Sequence, residues 1–179
     1  MRLTVGDATQ EQPVTIAPDP RSAATADDFR AQEALQLQIR DKLSETNEAI
    51  VQLRAVRDQV DLWVKRAEGR DDLKQIPEAA ESLKKKLQVI EDELIQHRAK
   101  GMQDTLNYPI KLNAKLAFLA GVVGSADTAP TQGSREVFTD VAARIDKQRD
   151  ALKDVLYEDV IAFNTLVASY HLPAVTTPE

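Results

Sequence analysis

The stretch LNYPIKLNAKLAFLAGVV, residues 106–123, decides the fold. It is the most apolar and least charged run in the chain, with Lys111 and Lys115 its only charges, while the sequence on both sides is rich in Glu, Lys, Arg and Asp. A run of this kind belongs in an interior, so the charged helices that flank it are expected to fold against it. Asn107, Tyr108 and Pro109 form a break, because proline disfavours the helical conformation in the residue before it and suits the first turn of a new helix. The spacing then predicts a helix from Pro109 to Val123. Leu112, Leu116, Leu119 and Val123 make one stripe, and Ala114, Ala117, Phe118 and Ala120 widen it over most of the circumference. This helix is therefore expected to be the buried rod of the molecule.

Two helices precede the break. The first starts at Thr25, where Thr25 and Asp28 read as a capping box with acidic residues in the first turn. No Pro or Gly occurs from there until Gly69, so the helix spans roughly 65 Å at about 1.5 Å per residue. Ile39, Leu43, Thr46, Ile50, Leu53, Arg57, Val60 and Val64 alternate spacings of four and three. That is a coiled-coil-type seam, interrupted by the polar Thr46 and Arg57. Gly69 suits the position just past a helix end, and Pro77 the first turn of the next helix. The second helix carries Ile76, Ala80, Leu83, Leu87, Ile90, Leu94 and His97 on one stripe and is expected to reach residue 105. A short link between two matching seams predicts an antiparallel helical hairpin.

Residues 124–133 form the one long loop of the body. Thr128 or Thr131 is placed to cap the last helix, with Pro130 in its first turn. Phe138, Val141, Ile145, Gln148, Leu152, Val155, Asp159, Ala162 and Leu166 repeat at three-four spacing as far as Tyr170. Two helices are thus long and two short, and the short pair together matches a long one. The fold class is mostly α: an antiparallel up-down bundle of three to four helices, three of them across any one section.

Residues 1–21 have a different pattern. Leu3 and Val5 alternate with polar residues, Gly6-Asp7 signals a turn, Val14 and Ile16 alternate again, and Pro18 and Pro20 end both strand and helix. A short β-strand pair and a Pro-rich linker are expected at 1–21, the helical bundle at 22–172 and a flexible tail at 173–179. Two strands alone are marginal in water and leave open edges. The pair either lies against the helices, belongs to a β-domain outside this chain, or pairs with another copy.

Composition narrows the function. Apolar residues make up 42% and charged residues 29%, the balance of an ordinary globular domain. A net charge of −6 argues against nucleic acid as the main partner. The basic run Lys84-Lys85-Lys86 reads as a solvated helix face. There are no cysteines, which removes disulfides and thiolate metal sites but leaves the compartment open. No apolar run reaches membrane-spanning length, and residues 1–5 show no secretory core. The chain is either cytosolic or a piece of a larger exported protein.

Residues that could carry chemistry are few. The two histidines, His97 and His171, lack the spacing of a metal site: Glu93 precedes His97 by four residues, whereas bundle di-iron sites use Glu-x-x-His. No H-E-x-x-H, G-x-S-x-G or P-loop is present. Carboxylates are abundant, among them Glu33, Glu45, Glu48, Glu78, Glu81, Glu91, Asp92, Glu93, Glu158 and Asp159, but nothing in their spacing selects a glycosidase-like pair. Those with a Lys or Arg three or four residues away, Glu33, Glu45, Glu78 and Glu81, read as exposed-face ion pairs. No catalytic residue, cofactor or metal ligand is assigned. The polar seam positions Thr46, Asn47, Arg57 and Asp159 are more informative. Arg57 in a seam needs a partner, and Asp159 is the expected mate, in a register-setting rather than ligand-binding role. Trp63 and Tyr108 read as aromatic plugs at helix ends before they read as groove residues.

A family resemblance rests on Leu106-Asn-Tyr-Pro-Ile-Lys-Leu-Asn113, Asp19-Pro20-Arg21, Ala129-Pro-Thr-Gln132 and Phe163-Asn164. With these pieces the chain resembles the C-terminal helical region of large bacterial sortilin/VPS10-like, BNR-repeat (Asp-box) glycosyl-hydrolase-like proteins. In that family a β-propeller is followed by a small β-module ending in an Asp-Pro-Arg step, and a long helical region closes the chain. The Asp-box itself is absent: Ser125-Ala-Asp127 is followed by Thr-Ala rather than by its Gly-x-Thr-Trp. The resemblance implies a non-catalytic accessory domain for interaction, anchoring or scaffolding, cut from an exported glycosidase-like parent. Its strand pair would then be the end of the β-module. The partners implied are protein: the parent β-domains or another chain, including a homodimer through the strands or helix 1. The other reading is a stand-alone coiled-coil adaptor or oligomerisation module. A carboxylate- or metal-based enzyme is the third.

Overall fold

A computed structural model describes residues 1–173, the side chains of Met102 and Thr105 excepted. The tail expected at 173–179 lies, but for Pro173, outside the described residues. The chain is mostly helical, with a two-stranded sheet at its N-terminus. α1 (Ala26–Ala67) starts as its capping box predicts. The Thr25 hydroxyl accepts from the Asp28 N–H at 3.2 Å, and the Asp28 carboxylate accepts from the Thr25 N–H at 2.8 Å. Past its end Gly69 takes φ +73°, the left-handed conformation that closes helices.

α2 (Gln75–Leu94) turns back along the C-terminal half of α1, where Lys84 meets Asp61. α3 (Leu112–Val123) continues in the same direction along the N-terminal half. There Gln32 of α1 donates to the Val123 carbonyl at 2.6 Å. α4 (Gln132–Asp154), capped by the Thr131 hydroxyl, runs back up through a π-helical turn at Val155–Asp159 into α5 (Val160–Ser169). The backbone stays right-handed helical across that turn, so α4 and α5 make one rod. The bundle is therefore up-down-up, three rods across a section, with the middle rod broken into α2 and α3. Leu35, Ile39, Leu53, Ile76, Leu87, Leu94, Leu112, Leu116, Ile145 and Phe163 belong to one continuous core. Each such side chain contributes on the order of 2 kcal/mol by leaving water.

Several expectations need correction. α2 stops at Leu94 rather than near residue 105. Local bonds compete with the helix there: the Asp104 carboxylate accepts from the N–H groups of Lys100 and Gly101, both at 2.8 Å, and the Gln96 side chain accepts from the Arg98 N–H. α3 starts at Leu112 rather than Pro109, because Lys111 is extended and the Gln96 amide holds the Pro109 carbonyl in the loop at 3.2 Å. In the last rod the buried stripe leaves the expected Ala162 and Leu166 after Val155 and resumes at Phe163 and Val167. A π turn holds one residue more than an α turn, so every later position shifts by one.

The largest correction concerns α3. Its stripe of Leu112, Leu116, Leu119 and Val123 is buried, but the rest of its circumference is not. Phe118 is 72% exposed, and Val122 also faces solvent. α3 packs mainly on α1 and α4, and among the described residues no helix covers its third side.

The strand pair is a hairpin of β1 (Arg2–Val5) and β2 (Ala8–Glu11). Gly6 at φ +58° supplies the turn, as Gly does at the first central position of a type II′ turn. Val14 and Ile16, expected in the second strand, lie beyond it in irregular chain. The register pairs Arg2 with Glu11 and Thr4 with Thr9 on one face, and Leu3 with Gln10 and Val5 with Ala8 on the other. The first face is satisfied within itself by an Arg2–Glu11 ion pair and a Thr4–Thr9 hydroxyl bond at 3.2 Å. The second carries Leu3, Val5 and Ala8 beside Gln10 and is exposed. All of residues 1–21 are exposed.

Candidate functional site

The bundle opens at the break in the middle rod. Residues 95–111 leave the rod between α2 and α3, making a connection longer than bundles usually need and long enough to suggest a role beyond linking. Asn107, Tyr108 and Pro109 sit on it, after a 3₁₀ turn at Met102–Leu106. The Tyr108 N–H donates to the Asp104 carbonyl at 2.8 Å, and its ring is half-buried. Backbone bonds from Lys100 and Gly101 hold the Asp104 carboxyl below its usual range. A cleft of about 580 Å³ lies between this excursion, the end of α2, the start of α3 and the middle of α4.

Charged side chains line it. Glu93 meets Lys111 at 3.7 Å and Arg144 at 3.9 Å, both long for ion pairs. His97 Nδ1 stands 3.4 Å from Asp92, which also accepts from Gln88 at 2.6 Å. Asp92 rather than Glu93 is thus the neighbour of His97. Arg98 and Lys115 complete the lining, so four cations face two carboxylates in a chain whose net charge is −6. Among the described residues no three His, Cys, Asp or Glu side chains converge as metal ligands would. The cleft offers hydrogen-bond donors and positive charge to an incoming group, with Tyr108 and Ile110 as apolar wall.

No family model, curated protein or solved structure matches this chain.

The polar seam is built differently from its expected form. Arg57 does not meet Asp159: it pairs at 2.6 Å with Glu91 of α2, which Arg54 also holds at 2.6 Å. Asp159, in the π turn, takes Lys86 of α2 at 2.7 Å. At these positions each of the two rods that flank α2 bonds it. Glu91 is only 3% exposed. Burial pushes its carboxyl up, but the two guanidinium groups outweigh that and hold it below the usual carboxylate range. The Arg57 Nη2 is buried with no hydrogen-bond partner among the described residues. Thr46 is buried and donates to the Lys42 carbonyl at 2.7 Å, so its hydroxyl is satisfied within its own helix. The seam pairs join α1 to α2 and α2 to the last rod. Glu91 was readable in the sequence, since it stands four residues after Leu87 and three before Leu94, inside the apolar stripe. A second cross-rod cluster, Lys42 and Arg149 with Glu45 and Asp146 at 2.7–3.4 Å, ties α1 to α4. Its members look like any exposed-face pair until the rods are docked.

The other candidates are more ordinary. Trp63 packs against the core edge, with the Arg66 guanidinium 4.8 Å above its ring. Among the described residues no helix is long and apolar enough to cross a membrane.

Proposed function

We propose that this chain is a non-catalytic helical accessory domain that serves interaction, anchoring or scaffolding in a larger exported β-propeller protein of the kind its sequence resembles. One observation carries the reading: the N-terminal hairpin has a polar face satisfied within itself and an apolar face, Leu3 and Val5, that the bundle does not cover. A two-stranded hairpin is marginal alone in water, and an amphipathic one needs something to bury its apolar side. The Asp19 carboxylate, which accepts from the Arg21 N–H at 2.9 Å and from its guanidinium, sets a tight turn between this hairpin and α1. That turn suits a joint between a β-module and a helical body.

The adaptor reading receives less support. Its dimer seam on α1 is already covered from within the chain, with Ile39, Ile50, Leu53 and Val60 in the core formed with α2, α3 and α4. Amide exchange tests the accessory-domain reading. In dilute isolated chain the amides of residues 2–11 should exchange at the rate of open chain while those of α1 stay protected. Strong protection of residues 2–11 under those conditions, or turnover of a glycoside by the purified chain, contradicts it.

A further inference from the structure

The basic cleft does not end at the α2–α3 break. Ile110 and Lys115 line both that cleft and a second groove of about 330 Å³ between α3 and α4. The floor of the second groove is apolar, with Phe118, Val122 and Val137 all substantially exposed. One surface therefore runs the length of α3, basic at its start and apolar towards its end. Water alone does not account for such a face: a helix turned to solvent normally carries charge there, yet no charged residue occurs between Lys115 and Asp127.

We infer that this surface docks an acidic amphipathic helix of a partner protein. The apolar side chains of that helix would sit over Phe118, Val122 and Val137, and the carboxylates at one end would meet Lys111, Lys115 and Arg98. Charge decides the partner's chemistry. Lys115 and Arg98 have no acidic partner among the described residues, Lys111 has Glu93 at 3.7 Å, and Arg144 has Glu93 and Asp140, both at 3.9 Å. Of the neighbouring acids on α4, Asp140 pairs with Arg144 at 3.9 Å, and Glu136, which accepts from the Gln132 amide, does not line the groove. An acidic segment completes these cations, whereas a basic one would leave them opposed to like charge. Size agrees: α3 is twelve residues, about 18 Å, which a partner helix of three to four turns covers.

The inference rests on the reading of the chain as an interaction domain, and the two fail separately, because the hairpin exchange experiment does not involve α3. The probe is a labelled helical peptide with Leu at i, i+3, i+4 and i+7 and Glu elsewhere, compared with its Lys counterpart by anisotropy on the full chain. The Glu peptide should bind about tenfold tighter than the Lys peptide and weaken as salt rises. Phe118→Asp and Lys115→Glu should each weaken it about fivefold or more, with thermal unfolding unchanged for both. Equal binding of the two peptides, no binding, or binding indifferent to both substitutions overturns the proposal. So does a concentration-dependent dimer in sedimentation that Phe118→Asp abolishes, since the face would then belong to a second copy.

Discussion

α2 and α3 are two halves of one broken rod, lying end to end on the same spine, yet their outer faces are unlike. α2 dresses its solvent side with ion pairs: Lys85 with Glu81, Lys84 with Asp61 and Lys86 with Asp159, with Val89 as the apolar exception. α3 dresses its solvent side with Ala117, Phe118, Gly121 and Val122. Both bury a stripe of the same kind, so the inner requirement is the same. The difference lies wholly on the outside. It teaches that the outer face of α3 is not made for water, and that folding does not explain it.

The comparison sharpens if each half is cut on its inner and outer side. The largest effect should come from the inner side of α3. Leu116→Ala removes a fully buried side chain and should lower stability by about 3 kcal/mol in urea unfolding, with an unchanged slope. A loss below about 1 kcal/mol would mean that the stripe of α3 is not packed as described. On α2, Glu91→Ala leaves the partly buried Arg57 without its acid. The loss should be about 2 kcal/mol, less than for a fully buried pair because Arg54 is half exposed.

The same carboxylate gives a pH dependence with a definite sign. The Glu91 pKa lies lower in the folded chain than the ordinary glutamate value of about 4.3, so the unfolded chain takes up its proton first. Its contribution is complete at neutral pH and is lost as the pH falls below about 4 towards the folded value. Unfolding midpoints measured from pH 7 to pH 2 should show this acid limb, and Glu91→Gln should flatten it. An identical limb in the variant would assign it to other carboxylates.

Local features of the fold were legible in the sequence. The Thr25 cap, the Gly69 stop, the core stripes of α1 and α2 and the long-short-short-long arrangement all come from spacing within one segment. What was not legible depends on how segments meet. The Arg57 partner needed the register of α1 against α2, which no single stripe contains. The shift from Leu166 to Val167 needed the π turn, whose sequence, Val155–Asp159, looks like any helix. The exposure of Phe118 was missed for a related reason: an apolar helix announces that it must be covered, not that its cover is part of the same chain. The cleft was partly visible, because Asn107, Tyr108 and Pro109 mark the break, but the cations around it come from three separate elements.

The central claim is that α3 folds with one face and leaves the other for a partner. Phe118→Asp tests it most directly, read as the urea midpoint of the isolated chain. The account predicts a change within about 0.5 kcal/mol, since a 72% exposed ring contributes little to the fold. A drop comparable to that of Leu116→Ala would contradict it, because Phe118 would then be a core residue and the outer face of α3 would not be free.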